Sequence, residues 1–318
     1  MRWTDPAFVA QAHAWLEQEA ARLGLGPLGA ITQPHVQPWS TVFRSGAPGG
    51  AIFLKACGPS QSHEPALTAR LSRGGSSIVP APLAVHPSEP WMLLADGGAK
   101  VREAFAGPAL LEAWTRVLPR YAELQRGFIG HDDELLATGL PDRRLEGLAL
   151  QLEPLLADDR VVGPLGGLSE ERRAALRRLL PTVAVRCAEL AALGIGATVQ
   201  HDDLHDGNVL VGRDEVVFDW GDACLTHPFL TLCVTLRSAA HRARLATDDP
   251  AIQRLRDAYL EPWSGLAPVS VLREATGLAR VLGAATRALS WFRVVTLIGG
   301  SLDDPDGWLR ELGEQLPR

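Results

Sequence analysis

The sequence predicts an α+β protein of two lobes, an N-terminal lobe over residues 1–96 and a mostly helical C-terminal lobe over residues 97–318. Three observations predict this division. Strand-like apolar runs dominate residues 31–95, whereas apolar residues recur at helical spacing from residue 108 onward. Within the helical half, two β-branched runs around a polar turn predict a single β-hairpin. The 318 residues suit two lobes rather than one small core.

Antiparallel strands and one helix are predicted in the N-terminal lobe. The third strand ends at Lys55, and the helix begins at Glu64 because the residue before Pro65 disfavours helical angles. The last strand is broken by Asp96-Gly97-Gly98, which is typical of a hinge and places it near residues 95–99. The predicted strands are 31–37, 41–45, 51–54 and 91–95, and the predicted helix is 64–71.

The C-terminal lobe has six segments with helical periodicity. The last of them, 269–297, is long and apolar. The segment 170–193 leads directly into the most polar stretch of the chain. The predicted helices are 108–126, 145–156, 170–193, 229–239, 250–260 and 269–297.

The predicted hairpin consists of residues 208–211 and 216–219 around the turn-forming segment 212–215. If the strands pair around a four-residue turn, Asn208 faces Asp219. Facing residues have β-carbons about 5 Å apart. An amide oxygen and a carboxylate at that separation can share a hard divalent cation such as Mg²⁺.

A second pattern lies just before the hairpin. His201-x-Asp203-x-x-x-x-Asn208 has the spacing of a kinase catalytic loop, in which the aspartate receives the proton of the acceptor hydroxyl and the asparagine holds a metal ion. The fuller pattern, His-x-Asp-Leu-His-x-x-Asn followed by Asp219-Trp220, resembles the aminoglycoside phosphotransferase and choline kinase-like family of small-molecule kinases within the protein-kinase-like superfamily.

This resemblance implies a bilobal protein-kinase-like fold that transfers the γ-phosphate of ATP, with Mg²⁺, to a hydroxyl of a small molecule. Asp203 would then be the catalytic base or would orient the hydroxyl. Asn208 and Asp219 would bind the Mg²⁺ that bridges the nucleotide phosphates. The residues expected to support this site are His201, His205 and Asp222.

Position 202 departs from the family, because these kinases usually have glycine where this chain has Asp202. An additional carboxylate beside Asp203 could raise the pKa of Asp203 or assist a metal ion. In an extended segment the side chains of adjacent residues point to opposite sides, which would limit either effect.

Lys55 is the residue expected to contact the nucleotide phosphates. The chain has only two lysines among its 31 basic residues, so a lysine at this position indicates a chemical choice over arginine. Kinases orient this lysine with a glutamate from the following helix. Glu64 is the only acidic residue between Lys55 and Glu89 and therefore takes that role.

The rest of the nucleotide site is implied by the family resemblance. Ser40 and Thr41 would occupy the loop over the phosphates, although the Gly-x-Gly-x-x-Gly pattern of protein kinases is absent. At the hinge, the backbone of Leu94 and Ala95 would bind the adenine of ATP.

Composition indicates a cytoplasmic enzyme. The net charge of −6 and the lack of a basic cluster argue against a nucleic-acid partner. We find no apolar stretch long enough to cross a membrane and no secretory signal at the N-terminus. The four cysteines have no metal-ligand spacing and are expected to be reduced, packed thiols. The oligomeric state is not readable.

The acceptor is expected to be a small hydroxylated molecule and not a protein, because only nine positions separate Asp219 from Pro228 and leave no long activation segment. From residue 236 onward the chain has eleven arginines and ten acidic residues. The acceptor wall is therefore not acidic overall, and a polycationic antibiotic is not the default substrate.

Two alternatives use the same residues. His201, Asp203 and His205 alternate, so in an extended segment they would face one way and could ligate a transition metal in a metallohydrolase. A nucleotide-binding scaffold without turnover is the second alternative.

Overall fold

An antiparallel sheet forms most of the N-terminal half in the computed structural model, which describes residues 2–73, 77–162, 169–299 and 304–316. Its strands are β1 (Thr32–Val36), β2 (Ser40–Ala47), β3 (Gly50–Cys57), β4 (Ala84–Val85) and β5 (Trp91–Ala95). They lie in the order β1-β2-β3-β5-β4, and every neighbouring pair is antiparallel.

Two helices flank this sheet, α1 (Pro6–Arg22) and α2 (Glu64–Ser72). Asp5 caps α1, since its Oδ1 accepts a hydrogen bond from the backbone N–H of Ala7 (2.8 Å). Phe8 of α1 packs edge-on against Trp91 of β5, with ring centroids 5.6 Å apart. The helix α2 does not pack in this cluster, and its buried Leu67 belongs to the core of the C-terminal half.

Helices dominate the chain after β5. They are α3 (Val101–Ala104), α4 (Gly107–Gly127), α5 (Asp132–Leu136), α6 (Leu145–Ala157), α7 (Asp159–Val162), α8 (Glu170–Ala191), α9 (Leu232–Ala243), α10 (Pro250–Leu260), α11 (Val269–Ile298) and α12 (Asp304–Gln315). Short strands lie among them: β6 (Ala99–Lys100), β7 (Thr198–Gln200), β8 (Val209–Val211), β9 (Glu215–Val217) and β10 (Cys224–Thr226). The predicted α+β architecture, with an antiparallel N-terminal sheet and a helical C-terminal half that bears a hairpin, is confirmed.

The segment between β5 and β6 is fixed against the hairpin of β8 and β9. Gly98 has φ +93°, and a β-carbon there would collide with the carbonyl oxygen of Val211. Only glycine combines this angle with so close an approach of two backbones. Immediately after it, Ala99 pairs with Val211, so Gly97 and Gly98 bring the end of the sheet onto the hairpin.

The hairpin pairs one residue out of the predicted register. Val211 faces Glu215, so the turn has three residues, 212–214, rather than four. The N–H of Phe218 donates to the carbonyl of Asn208 (3.1 Å), and Asp219 lies beyond the ladder with φ +65°. The prediction that Asn208 and Asp219 face each other across the ladder was therefore wrong.

The shift has a tertiary cause. Glu215 has the composition of a turn residue, but Arg116 of α4 binds its carboxylate (Nε to Oε1, 2.7 Å). Arg120 of the same helix donates to the carbonyl of Glu215 (3.0 Å). These contacts hold Glu215 in the strand, and the turn loses one residue.

Among the residues that the structure describes, one helix meets the length and composition of a membrane span, contrary to the sequence-based expectation that no such stretch exists. It is α11, with 30 residues and a mean hydropathy of 1.3 in its most apolar window, of which 61% is buried inside the protein. A mostly buried apolar helix is typical of a protein core. The helix α11 packs against α9 and α12, among other elements.

Candidate active site

The side chain of Lys55, in the sheet strand β3, lies between two carboxylates. Its Nζ is 2.6 Å from Oε2 of Glu64, at the start of α2, and 2.6 Å from Oδ1 of Asp219, just after β9. Glu64 is completely buried, whereas the Asp219 side chain is 41% exposed. The structure thus brings three of the predicted site residues into direct contact, although Lys55 and Asp219 are 164 positions apart.

Lys55 and Asp219 stabilise each other's charged form, whereas at Glu64 burial prevails over Lys55 and raises the pKa of that carboxyl. Burial disfavours the ammonium form of Lys55, but Asp219 and Glu64 outweigh that effect and raise the pKa of Lys55 above its ordinary value. Burial likewise opposes ionisation of Asp219, but Lys55 overcomes it and lowers the pKa of that carboxyl. Lys55 therefore stays cationic at neutral pH beside an ionised Asp219.

His201 anchors the loop between β7 and β8. Its Nε2 donates to the carbonyl of Phe218 (2.9 Å), and its Nδ1 accepts from the backbone N–H of Asp203 (3.3 Å). One ring nitrogen donates and the other accepts, which is the pattern of a neutral imidazole. Burial lowers the pKa of His201 in the same direction. Its ring lies 4.8 Å from that of Trp220.

Asp203 follows this anchor and lies in contact with Asn208. The Nδ2 of Asn208 donates to the carbonyl of Asp203 (2.9 Å) and is 3.5 Å from its Oδ2. The Nε2 of His205 is also 3.5 Å from that oxygen. The Nδ1 of His205 accepts from the N–H of Gly207 (2.9 Å) and contacts Arg102 (2.8 Å), which fixes the orientation of the ring.

Asp202 has the left-handed backbone conformation, with φ +62°. This explains why glycine is usual at the position, since other residues adopt that conformation at a cost of about 1–2 kcal/mol. The segment is therefore not extended at Asp202, contrary to the assumption made from the sequence. The side chain turns into the protein interior and is 1% exposed, so it is not placed to serve as a ligand for a metal ion at Asp203.

The buried carboxylate of Asp202 binds the helix α11. Its Oδ1 accepts from the hydroxyl of Thr286 (2.6 Å), and its Oδ2 accepts from Ser290 (2.5 Å) and from Arg143 (3.3 Å). Arg143 precedes α6 and also donates to the carbonyl of Thr286 (2.9 Å). Asp202 thus links the loop between β7 and β8, α11 and the segment before α6.

We expect Asp202→Gly to lower the free energy of unfolding by about 2–4 kcal/mol. Removing one partner of a buried ion pair costs about 3–5 kcal/mol, and relief of the left-handed strain returns about 1 kcal/mol. Urea denaturation measures the change. Asp214→Gly, in the exposed turn of the hairpin, is the control for loss of one carboxylate. A change at Asp202 no larger than that of the control would contradict this network as a source of stability.

Arg287 of α11, which the sequence patterns did not indicate, contacts three of the acidic residues singled out from the sequence, the most distant being Asp202 (Nη1 to Oδ2, 3.8 Å). Its Nη2 is 3.2 Å from Oδ1 of Asp203, and its Nη1 is 2.9 Å from Oδ2 of Asp222. The Arg287 side chain is 4% exposed, and its guanidinium lies 5.9 Å from the ring centroid of Trp291. Asp222 is thereby placed next to Asp203 through a shared arginine.

At both Asp203 and Asp222, burial raises the pKa of the carboxyl and Arg287 lowers it, but the balance differs. At Asp203 burial disfavours the charged form, but Arg287 and His205 outweigh it and lower the pKa of that carboxyl. At Asp222 burial prevails over Arg287 and raises the pKa. Asp203 is consequently the carboxylate that stays ionised and can accept a hydrogen bond from a hydroxyl.

Asn208 and Asp219 have donor atoms suited to Mg²⁺. Because the Nδ2 of Asn208 is turned to Asp203, its amide oxygen points away from Asp203. The Lys55 contact of Asp219 uses Oδ1, and the partly exposed carboxylate has a second oxygen. Amide and carboxylate oxygens are the hard ligands that Mg²⁺ prefers, with the remaining positions taken by water and phosphate. These two residues fit such an ion without a dedicated protein cage.

The loop expected over the phosphates differs from the sequence-based expectation. The turn between β1 and β2 is formed by residues 37–39, and Ser40 already begins β2 in a buried position. The hydroxyl of Thr41 is buried, accepts from Gln33 (2.8 Å) and donates to the carbonyl of His35 (2.8 Å). The hydroxyl of Thr41 therefore bonds within the sheet, and the assignment of this side chain to the nucleotide does not fit.

The tip of the same turn contacts the C-terminal half. The ring of Trp39 stands edge-on against Trp291 of α11, with centroids 5.7 Å apart. The backbone N–H of Gly58 donates to the carbonyl of Trp39 (2.6 Å) and holds the turn against the end of β3.

Leu94 and Ala95 lie at the end of β5, where this strand extends beyond its neighbour β4. The strand β4 pairs with Met92 and Leu93. In the part of the chain that the structure describes, that edge of β5 has no strand partner at Leu94 and Ala95. A backbone edge of this kind can pair with a planar ligand that has its own donors and acceptors.

The alternative transition-metal site does not form. His201 uses both ring nitrogens in hydrogen bonds to the backbone, and the left-handed Asp202 breaks the alternation on which the alternative depends. Among the described residues, no group of three His, Cys, Asp or Glu side chains is arranged to hold a metal ion. This geometry disfavours the metallohydrolase.

A lysine held by a helix glutamate, an aspartate after a hairpin and a His-x-Asp loop are the parts of a kinase-like phosphoryl-transfer site. The class is therefore a phosphotransferase. The chain belongs to the phosphotransferase enzyme family, which it matches over residues 40–270. Both the resemblance seen in the sequence and the expectation of a phosphotransferase are confirmed.

Solved structures of the same fold include small-molecule kinases of low sequence identity. Plasmodium vivax ethanolamine kinase is 12% identical, with a TM-score of 0.62 over 98% of this chain and 89% of that chain. A putative fructosamine-3-kinase from Thermobifida fusca is 18% identical, with a TM-score of 0.57 over 93% and 97%. A spectinomycin phosphotransferase is 12% identical, with a TM-score of 0.53 over 95% and 94%. These likenesses confirm the protein-kinase-like fold. No curated protein matches the sequence.

Proposed function

We propose that this protein transfers the γ-phosphate of ATP, with Mg²⁺, to a hydroxyl of a small molecule. The observation that carries the proposal is the contact of Lys55 with both Glu64 and Asp219. The buried Glu64 would hold the ammonium group of Lys55 in place, and the partly exposed Asp219 would leave it accessible to a nucleotide. Residues 1–96 would form the nucleotide-binding lobe, residues 95–99 the hinge, and residues 97–318 the catalytic and substrate-binding lobe.

The nucleotide would be held at three points. Lys55 would bind the phosphates, because a compact ammonium can contact phosphate oxygens while it remains paired with Glu64. Asn208 and Asp219 would hold the Mg²⁺ that neutralises the phosphate charge. The open edge of β5 at Leu94 and Ala95 would bind the base. Among structures of this fold, the spectinomycin phosphotransferase was solved with ADP and an aminoglycoside 2'-phosphotransferase with GDP.

Asp203 would orient the acceptor hydroxyl and accept its proton. In the transfer the hydroxyl oxygen forms a bond to the γ-phosphorus, the bond from that phosphorus to the β-phosphate oxygen breaks, and the hydroxyl proton passes to Asp203. Arg287 occupies Oδ1 of Asp203, so the proton would go to Oδ2, which faces Asn208 and His205. Arg287 would also keep Asp203 ionised and thus ready to accept.

A small acceptor fits the path of the chain after Asp219. The chain enters the interior at once: β10 pairs with β7, and residues 224–236 are all buried. A protein substrate would need an exposed platform at this point. All four cysteines are free and buried, which agrees with the proposed location in the cytoplasm. Neither nucleic acid nor a membrane is proposed as a partner.

The test is a screen for acceptor-dependent ADP release. Aminoglycosides, macrolides, amino alcohols, sugars and hydroxy acids are presented with ATP and Mg²⁺, beside a peptide library. We expect turnover with one class of small hydroxylated compound that disappears when EDTA removes the Mg²⁺. Peptide phosphorylation without turnover of any small molecule would refute the proposal, and thermal stabilisation by ATP without turnover of any acceptor would favour the scaffold alternative.

A further inference from the structure

A groove opens between α6, α11 and the segment before α6. It has a volume of about 340 Å³, which is within the range of small-molecule sites. Its outer walls are mostly apolar, and its lining includes Arg143, Gln151, Pro154, Leu289, Phe292 and Arg293. We call it the α6–α11 groove.

The α6–α11 groove shares Arg143 and Arg293 with a second cavity of about 10 Å³. This smaller cavity is also lined by Ser60 and Asp222. Asp222 shares Arg287 with Asp203. The groove and Asp203 are thus linked through Asp222 and Arg287.

The two arginines of the groove differ in their partners. Arg143 is paired with the buried Asp202. Arg293 forms no ion pair with any carboxylate of the described residues, and its Nε is buried without a hydrogen-bond partner. The hydroxyl of Ser60, which lines the smaller cavity and is 2% exposed, is also buried without a partner among the described residues. Buried polar groups in native proteins nearly always have partners, and an acceptor atom of a bound ligand would supply one to Arg293.

The electrostatics of the site agree with an anionic ligand. Burial lowers the pKa of Arg293, and the like charge of Arg143 lowers it further. Asp222, which lines the smaller cavity, is already engaged by Arg287, and Asp202 is engaged by Arg143. An anion in the groove would relieve the repulsion between Arg143 and Arg293, whereas a cation would add to it.

We propose that the α6–α11 groove binds the acceptor by an anionic group, a carboxylate or a phosphate, held by Arg293 with Arg143. The acceptor is then a hydroxylated compound with an apolar body, which Leu289 and Phe292 cover, and with its hydroxyl toward Asp203. This inference rests on the proposed function, because it assigns the substrate class of that same site. It excludes aminoglycosides and choline-like amines as the natural acceptors.

Binding of matched probes tests the proposal. Para-hydroxymethylbenzoate, the neutral para-hydroxymethylbenzamide and the cationic para-hydroxymethylbenzylamine share a ring and a hydroxyl and differ in charge. Para-hydroxymethylphenyl phosphate distinguishes phosphate from carboxylate. Isothermal titration of the full chain, with and without ADP and Mg²⁺, gives each affinity. We expect one of the two anions to bind at least about tenfold more tightly than the amide, a factor that corresponds to about 1.4 kcal/mol, and the amine to bind most weakly.

Three variants locate the effect. Arg293→Gln is expected to remove the preference for the anion and to leave the affinity for the amide unchanged, and Arg293→Lys to retain part of the preference. Arg280→Gln is the matched control, since Arg280 is an exposed arginine on the same helix. Equal affinity for all probes, preference for the amine, no binding of any probe, or equal effects at Arg293 and Arg280 would each overturn the proposal.

The two proposals fail separately. Anion preference at Arg293 without phosphoryl transfer to any acceptor would refute the proposed function and leave the anion site. Phosphoryl transfer to a neutral or cationic acceptor, undiminished in Arg293→Gln, would support the proposed function and refute the anion site. Thermal unfolding of each variant verifies that the substitution leaves the fold intact.

Discussion

Asp203→Asn is expected to lower kcat by about 10²–10⁴-fold while ADP and Mg²⁺ still bind. Asparagine keeps the shape of the side chain but cannot accept the proton of the acceptor hydroxyl, and a positioned general base contributes about 10²–10⁴-fold. The lysine contact of Asp219, which we assign to the nucleotide, is separate from Asp203. Steady-state kinetics with the acceptor that the screen identifies, and titration with ADP and Mg²⁺, measure the two effects.

Asp214→Asn is the control for Asp203→Asn, because it makes the same change of charge in the exposed turn of the hairpin. Its kcat is expected to equal that of the unmodified protein. Normal turnover in Asp203→Asn would show that the assigned mechanism is wrong. Loss of nucleotide binding together with turnover would instead mean that Asp203 holds the site together and is not its base.

Asp219→Asn is expected to weaken binding of ADP with Mg²⁺ by at least about tenfold, equivalent to 1.4 kcal/mol, and to leave binding of ADP without the metal ion much less affected. The carboxylate is the charged metal ligand in our assignment, and Lys55 keeps Glu64 as a partner after the change. Titration with ADP in the presence of Mg²⁺ and of EDTA separates the two contributions. If Mg²⁺ strengthens ADP binding equally in the variant and the unmodified protein, Asp219 is not its ligand.

Much of the site could be predicted because its parts are local in sequence. The spacing of His201, Asp203 and Asn208 lies within one loop, and the strand-ending Lys55 and helix-starting Glu64 lie nine residues apart. The hairpin was also predictable from its composition. Its register was not, because arginines of α4 decide whether Glu215 belongs to the turn or to the strand.

The residues missed by the sequence analysis act through the tertiary structure. Arg287 stands in a stretch of small and apolar residues, 282–290, that is buried throughout. An arginine in such a stretch needs a buried partner, but the sequence does not name the partner. Asp202 carried a clearer signal, since a family glycine replaced by another residue indicates a position with positive φ.

The sequence-based description of the N-terminal lobe also omitted α1. The signal was present, because Asp5-Pro6 is a typical helix start and Phe8, Ala12 and Trp15 recur at helical spacing. The structure shows what this helix does: its aromatic side chains cover the sheet face opposite to α2. Thr41 shows the opposite error: its side chain was assigned to the nucleotide, but its hydroxyl forms its hydrogen bonds within the sheet.

The contact of Trp39 with Trp291 joins the turn beside the proposed nucleotide site to the helix that carries Arg287. A ligand that displaces this turn must either break that contact or carry α11 with it, so the free energy of binding at one site includes a contribution from the other. Such coupling is reciprocal. The factor by which bound nucleotide changes the affinity for the acceptor must equal the factor by which bound acceptor changes the affinity for the nucleotide. The contact between the two tryptophan rings would determine the magnitude of this factor.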